Sequence, residues 1–354
     1  MLINFRLAIY EVVLEAGHDG LFLPAYKGST LRGGFGQVFR RITCSMRQKE
    51  CRGCLLRYNC PYAYIFETSP HPGSEVLRNY ESIPRPFVLE PPLEEKTVYR
   101  SGETLTFRLI LIGKSIEYLP YFIVVLRELG EIGIGRGRKK YNLREIVAVD
   151  PLNDRRACVY REEERLVRNV DFSIRGSAIP HLLEYYGPDA VLSGGGEHPG
   201  SHRCKPGNRL SAEAPALKCP TRLTVDFLTM TRIKYEESCT SKVEFHILIR
   251  NLLRRLSALL YFHHGEELKL DFSGLIARAT KVKLVEDHTH WVDWERFSSR
   301  QDIKMKMGGL VGRIIYEGNL SEFFPLLYLG ELVHVGKGAV FGMGKYRMEQ
   351  AGEH

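Results

Sequence analysis

Four cysteines lie close together in the first sixth of the chain, at spacings suited to binding a metal ion. They are Cys44, Cys51, Cys54 and Cys60, and the middle two form a Cys-x-x-Cys pair. Four thiolates complete a tetrahedral site and leave no open position for catalysis, so the pattern predicts a structural zinc site. An iron–sulfur cluster is the alternative, because four thiolates also hold one. A loop with four unligated thiols is the third alternative.

A glycine-rich segment near the C-terminus is the second candidate for chemistry. Glycine at high density indicates backbone with positive φ or a close approach by another chain, and bare N–H groups beside lysines suit a phosphate chain. A connector without a ligand is the alternative. The residues that define the segment are Gly336, Lys337, Gly338, Gly342, Gly344 and Lys345.

The same segment does not match the familiar nucleotide-binding motifs. A Walker loop ending at Lys345 would need glycine at Ala339 and a hydroxyl residue at Tyr346, and a dinucleotide fingerprint would need glycine at Phe341. Those motifs also run from strand to loop to helix, whereas here a predicted helix precedes the loop and a strand follows it. No nucleotide cofactor is therefore expected.

Positive charge is concentrated at two further places. The chain has 354 residues, a net charge of +8 and a pI near 9.0, which favours an anionic partner. One cluster lies in a glycine-containing loop and the other in a helix, and both are typical of phosphate contacts. The clustered residues are Arg136, Arg138, Lys139 and Lys140 in the loop, and Arg250, Arg254 and Arg255 in the helix.

The chain carries no signal for membrane insertion or export. No run of eighteen apolar residues is present, and the N-terminus alternates like a strand rather than a signal peptide. We expect a cytoplasmic protein, in which the scattered cysteines Cys158, Cys204, Cys219 and Cys239 are free thiols.

The elements that position these residues occur twice in the same order. Each half reads strand, helix, two strands, helix, basic glycine loop and strand, with the strongest helix at 243–262 and another at 320–333. This order predicts an α+β protein with two tandem ferredoxin-like (βαββαβ, RRM-like) domains. The predicted ranges are an N-terminal domain over 1–150 with a Cys-rich insertion at 44–60, a linker over 151–220 and a C-terminal domain over 221–354.

Several segments resemble a known family. The loop from His334 to Tyr346 is similar to the signature of the repeat-associated mysterious protein (RAMP) superfamily. Other segments resemble the CRISPR-associated endoribonucleases that process precursor CRISPR RNA: Leu119–Ile123 with Gly133–Arg138, Trp291–Gln301, and Met307–Gly312.

The resemblance implies metal-independent cleavage of CRISPR repeat RNA. The ribose 2′-hydroxyl attacks the adjacent phosphate and leaves a cyclic phosphate and a 5′-hydroxyl, which requires a base, an acid and a cation. In related enzymes the base is usually a histidine near the first helix of the N-terminal domain. The catalytic candidates are therefore His71, Tyr26 and Lys27, whereas His246 and His263 are expected to be structural.

The resemblance also suggests which residues contact RNA. The predicted contacts are the glycine-rich segment with its two lysines, the four cations of residues 136–140, and Arg32 in the first helix. A non-catalytic RNA-binding subunit of a CRISPR effector complex is the alternative function, and a module that docks other effector subunits through its cysteines is a third. No membrane partner is expected.

Overall fold

The structure is a computed structural model that describes residues 2–46, 50–70, 83–179, 221–236, 238–298 and 303–350. The α-helices in these residues are α1 (Gly28–Thr43), α2 (Pro61–Phe66), α3 (Leu119–Ile132), α4 (Phe245–His264), α5 (Phe272–Ala279) and α6 (Phe324–Val333).

Strands fall into two groups, one in each half of the chain. The strands of the first half are β1 (Arg6–Ala16), β2 (Leu21–Phe22), β3 (Phe87–Glu90), β4 (Val98–Tyr99), β5 (Thr104–Ile112), β6 (Tyr141–Asp150), β7 (Arg155–Arg161), β8 (Leu166–Val167) and β9 (Ile174–Arg175). Those of the second half are β10 (Arg222–Thr231), β11 (Lys234–Tyr235), β12 (Ser238–Cys239), β13 (Lys283–Val292), β14 (Glu295–Ser298), β15 (Ile303–Lys306), β16 (Gly309–Glu317) and β17 (Tyr346–Gln350).

Both main sheets have the strand order of a ferredoxin-like domain. In the first sheet β1 is central, within the order β3-β5-β1-β6, and in the second the order is β13-β16-β10-β17. When only these four strands of each sheet are numbered in chain order, both sheets have the order 2-3-1-4. All neighbouring strands in the two orders are antiparallel. The prediction of two tandem ferredoxin-like domains is confirmed.

The first sheet also contains strands that lie beyond the predicted domain boundary at residue 150. β7 pairs with β6, β8 pairs with β7, and β9 pairs with the start of β1. The first part of the predicted linker therefore belongs to the N-terminal sheet. Residues 180–220, the rest of that linker, lie outside the described residues.

The C-terminal end of β5 shows why its sequence is apolar on both faces. Leu109 and Leu111 pack in a cluster with residues of α1 and α3, whereas Ile110 and Ile112 pack in a second cluster with residues of α4. A strand that is covered on both sides has no solvent-facing positions, so it reads as a continuous apolar run. The first sheet is thus packed between its own helices and the second half of the chain.

Helix α4 follows its apolar periodicity. Ile249, Leu252, Leu253 and Leu256 recur at helical spacing and are buried, and the helix ends at Gly265, whose φ of 76° terminates it in the left-handed conformation. None of the described helices is long and apolar enough to cross a membrane.

Candidate nucleic-acid interface

The glycine-rich loop between α6 and β17 is folded tightly on itself. Gly336, Gly338, Gly342 and Gly344 have φ values of 78°, 86°, 81° and 73°, in the left-handed region that favours glycine. A Cβ atom on Gly344 would lie 1.8 Å from the carbonyl oxygen of Val335, so this position requires glycine. The loop is a rigid turn rather than an open connector.

The loop packs against the start of α1 in the other half of the chain. Tyr26 donates from its hydroxyl to the carbonyl oxygen of Phe341 at 2.7 Å. A Cβ atom on Gly28 would lie 1.9 Å from the same oxygen, so the two backbones are in close contact. The loop therefore has its conformation fixed by both domains.

A buried carboxylate from the first domain also holds the loop. Glu90, at the end of β3, accepts from Lys345 Nζ at 2.7 Å and from His334 Nε2 at 3.0 Å. His334 Nδ1 lies 3.0 Å from the carbonyl oxygen of Met343, so each ring nitrogen lies within hydrogen-bond distance of an oxygen atom. Burial alone would raise the pKa of Glu90, but the hydrogen bonds and charges of His334 and Lys345 lower it to about 2.

Beside the loop lies a cleft of about 360 Å³ with a strongly cationic lining. No aspartate or glutamate occurs among the described residues that line it. The cleft takes residues from both halves of the chain, and its cationic residues are Arg85, Lys234, Arg254, Arg255 and Lys337.

Arg255 and Lys337 are held in the cleft by different contacts. Arg255 donates from Nε and a terminal nitrogen to the carbonyl oxygen of Val333, at 3.1 and 2.8 Å, at the end of α6. Burial lowers the pKa of Arg255 to about 10, which leaves it charged at neutral pH. Lys337 is fixed through its backbone N–H, which donates to the Arg232 carbonyl at 2.9 Å, while its side chain is exposed. The cleft therefore presents two kinds of positive charge: the anchored guanidinium of Arg255 and the exposed ammonium group of Lys337.

The predicted RNA contacts are not all available for phosphates. Lys345 was predicted to bind RNA; its ammonium group is half-buried and pairs with Glu90 at 2.7 Å, so RNA binding by this side chain would require that pair to open. Arg32 is half-buried, with its guanidinium 5.2 Å from the ring centre of Phe66 and 5.4 Å from that of Phe341. It therefore lies between the two domains rather than on an open surface.

The four cations in the loop after α3 also differ in whether an acidic side chain pairs with them. Lys139 pairs with Asp19 at 2.9 Å, and Lys140 pairs with Glu131 at 3.1 Å. The Arg136 and Arg138 side chains are exposed, and within the described residues neither forms an ion pair. Of these four cations, the two arginines are the ones without an acidic partner in the described part of the chain.

Two catalytic candidates have structural contacts. The hydroxyl of Tyr26 is bonded to the Phe341 carbonyl, and burial raises its pKa far above its ordinary value. Lys27 is fully buried, and its ammonium donates to the carbonyl oxygens of Ala25 and Glu94 at 3.1 and 2.8 Å. Neither side chain is free to act on a substrate in this conformation. His71 lies outside the described residues.

His263, expected to be structural, is buried between the domains. Its Nε2 lies 2.8 Å from the Pro84 carbonyl and its Nδ1 lies 3.2 Å from the Tyr64 hydroxyl. Burial lowers the pKa of His263 to about 3, so the ring is neutral at physiological pH and donates through Nε2.

Sequence reasoning found part of this site. Arg254 and Arg255 stood out as a helical cluster, and Lys337 as part of the glycine-rich segment. Arg85 and Glu90 were missed, because each is a single charged residue in a proline-containing stretch with no local pattern.

Comparison with known proteins finds a family model that matches much of the second half of the chain. Residues 225–346 match the model of the CRISPR-associated endoribonuclease Cas6, and residues 5–172 match a model described only as an N-terminal domain. An uncharacterized protein of Archaeoglobus fulgidus is 26% identical over 355 residues, covering 98% of this chain and 99% of that protein.

Solved structures share the fold at low sequence identity. A Cas6 product complex has a TM-score of 0.53 at 14% identity, covering 97% of this chain and 99% of that one. Thermus thermophilus Cas6 has a TM-score of 0.50 at 12% identity, covering 97% and 98%. A partial Cas6-RT-Cas1–Cas2 complex has a TM-score of 0.56 at 13% identity, covering all of this chain and 48% of that one.

The fold and the interface define a protein of two tandem ferredoxin-like domains joined at a glycine-rich loop and a cationic cleft. The resemblance to the CRISPR-associated endoribonucleases is confirmed over residues 225–346, which match the Cas6 family model, and the fold is the one seen in solved Cas6 structures.

Proposed function

We propose that this protein binds CRISPR repeat RNA and cleaves it without a metal ion, so that precursor transcripts become guide RNAs. The observation that carries the proposal is the cationic cleft at the glycine-rich loop. Its lining residues Lys234, Arg254, Arg255 and Lys337 all lie within residues 225–346, the range that matches the Cas6 endoribonuclease family.

The cleft suits a nucleic-acid backbone better than a small anion. It draws cations from both domains, contains no acidic residue among its described lining, and is bounded by a rigid loop. Phosphates bound along it would neutralise several cations at once, which makes binding strongly dependent on salt.

The proposed reaction is an internal transesterification. The ribose 2′-oxygen forms a bond to the adjacent phosphorus as a base removes its proton, and the bond from phosphorus to the 5′-oxygen breaks as that oxygen takes up a proton. The products are a 2′,3′-cyclic phosphate and a 5′-hydroxyl. Cations beside the phosphate would stabilise the negative charge that develops. DNA lacks the nucleophile, so the reaction is specific for RNA.

His71 remains the candidate general base. It precedes Ile83, which lines the cleft, by twelve residues in the chain, and it titrates near neutral pH when unperturbed. His71→Ala is expected to reduce the cleavage rate about 100-fold or more while RNA affinity stays within about twofold.

The alternative is a non-catalytic RNA-binding subunit of a CRISPR complex. One observation favours it: among the described lining residues of the cleft there is no histidine, and the polar groups of Tyr26 and Lys27 are bonded to backbone carbonyl oxygens. Assembly with other CRISPR proteins is part of both functions, and the Cas6-RT-Cas1–Cas2 complexes are an example among proteins of this fold.

Repeat RNA from the host's own CRISPR array distinguishes the two functions. Brief incubation in EDTA should give a single cut with a cyclic-phosphate end, and a 2′-deoxy nucleotide at the cut should block it. Tight binding with no cut would favour the alternative. If DNA of the same sequence binds as tightly as the RNA at the same salt concentration, both functions are wrong.

A further inference from the structure

Two cysteines of the Cys-rich segment stand at the facing ends of packed helices. Cys44 follows α1, and its N–H donates to the Arg40 carbonyl at 2.9 Å. Cys60 precedes α2, and its carbonyl accepts from the Tyr64 N–H at 3.0 Å. The segment between them therefore leaves one helix and returns to the other.

Aromatic packing fixes the two helices relative to each other. Phe39 of α1 contacts Phe66 of α2 with ring centres 5.3 Å apart and nearly perpendicular, and Phe35 lies 6.1 Å from the same ring. These rings are at most 1% exposed. Cys51 and Cys60 pack against the same core. The backbones of Cys44 and Cys60 are thus held at the ends of two packed helices.

The other two cysteines share one turn. The Cys54 N–H donates to the Cys51 carbonyl at 3.2 Å, and the Arg57 N–H donates to the Cys54 carbonyl at 3.1 Å. Such a turn in a Cys-x-x-Cys sequence lets two thiolates face one ion, and structural zinc sites use it.

The segment has little apolar packing of its own to hold it. Leu55 is 94% exposed, and Leu56 and Tyr58 are 43% and 47% exposed. All four cysteines are unpaired and partly exposed. A loop that places three large apolar side chains in solvent needs another source of stability, and a bound metal ion supplies it in small domains.

Within the described residues, no three histidine, cysteine or acidic side chains are yet grouped closely enough to hold a metal ion. Uncharged thiols do not attract one another. Where metal binding is coupled to folding, the thiols come together as the ion binds.

We propose that Cys44, Cys51, Cys54 and Cys60 bind one metal centre through four thiolates, with zinc as the expected ion. The centre links the end of α1 to the start of α2 and has no open position, so its role is structural. Arg57, anchored to the Ser69 hydroxyl at 2.9 Å, lies within the segment and offsets the negative charge of the thiolates.

Metal content of the full-length protein, purified without chelator, tests the proposal. We expect about one zinc per chain by elemental analysis. Cys51→Ser/Cys54→Ser should bind less than a tenth of that amount. Cys158→Ser/Cys239→Ser removes the same number of thiols outside the segment and should keep the full amount.

Iron and acid-labile sulfide at matching stoichiometry, with visible absorbance lost in the same variant, would support the four-thiolate centre and identify a cluster in place of zinc. Wild-type protein that holds neither metal and takes up none from added zinc under reducing conditions would overturn the proposal. So would full metal retention in Cys51→Ser/Cys54→Ser.

A second measurement uses the wild-type protein, so it does not require Cys51→Ser/Cys54→Ser to fold. Mercurial modification of the wild-type thiols, followed by a colorimetric zinc indicator, should release about one zinc per chain. No release would overturn the proposal. Because the readout is metal content rather than RNA cleavage, failure here leaves the proposed function untouched.

Discussion

Glu90 combines a buried carboxylate with two cationic partners from the other domain. His334 and Lys345 hold its pKa at about 2, below the ordinary value of 4.5. The stabilisation is therefore fully present above about pH 4.5 and is lost as the pH falls towards 2. Replacing the carboxylate by an amide leaves the half-buried ammonium group of Lys345 without its counter-charge.

Glu90→Gln should consequently lower the free energy of unfolding at pH 7 by about 3 kcal/mol. In denaturant titrations the difference from wild type should shrink as the pH falls below about 4.5. Glu95→Gln, an exposed neighbour, is the control and should stay within about 0.5 kcal/mol. A difference that does not change with pH would show that Glu90 acts through its shape rather than its charge.

The two lysines of the glycine-rich loop should behave differently. Lys337 is exposed at the cleft, so Lys337→Ala should reduce the slope of log affinity against log salt by about one phosphate contact. Lys345 is bound to Glu90, so Lys345→Ala should lower stability and leave the slope unchanged. Fluorescence anisotropy with labelled repeat RNA at several salt concentrations measures both.

Lys281→Ala is the matched control for this comparison, because Lys281 is exposed and does not line the cleft. Equal loss of slope in Lys337→Ala and Lys345→Ala would mean that Lys345 leaves Glu90 when RNA binds. The sequence could place both lysines in the loop, but not the direction of either side chain. The partner of Lys345 lies 255 residues away along the chain.

Among the elements, α1 carries glycines with opposite expected effects. Gly28 meets the Phe341 carbonyl oxygen, so Gly28→Ala should push the loop from the helix and lower stability by about 1–3 kcal/mol. Gly33 has open space around its Cβ position, so Gly33→Ala should raise stability by about 0.5–1 kcal/mol through helix propensity. Thermal unfolding of the two variants makes the comparison, and a gain in both would show that the contact at Gly28 yields easily.

Two other glycines of α1 lie against neighbouring helices. Gly34 meets Leu129 at 2.9 Å and Gly36 meets Phe66 at 3.3 Å, so at these positions the approach is helix packing. Sequence periodicity identified α4 and α6 to within a few residues, because each buries an apolar face. It missed β7, whose sequence Arg155–Arg161 is rich in charge and buries only Val159 and Tyr160 in the core.

At the scale of the whole molecule, the two halves share a core. One cluster joins Phe5, Leu7 and Ile110 of the first sheet to Leu252 and Leu256 of α4. The cleft likewise needs both halves. Two separate βαββαβ units could be predicted from the sequence, but the face on which they meet could not. The apolar runs of β1 and β5 show that both strands are buried, and they do not indicate which residues pack against the strands.

A shared core predicts that the two domains unfold together. Both tryptophans, Trp291 and Trp294, lie in the second half, and the Trp294 ring centre lies 4.9 Å from that of Tyr26. Their fluorescence therefore reports the second half and its contact with the first, whereas far-UV circular dichroism reports both halves. Phe35 is fully buried in the first half, and Phe35→Ala should cost about 3–5 kcal/mol. We expect the fluorescence and dichroism midpoints in denaturant to coincide in wild type and to shift together in Phe35→Ala. The control Phe272→Ala, at a position 38% exposed, should shift neither by much. If the fluorescence midpoint stays unchanged while the dichroism curve separates into two steps, the halves unfold independently, and the cleft between them is held by its polar contacts alone.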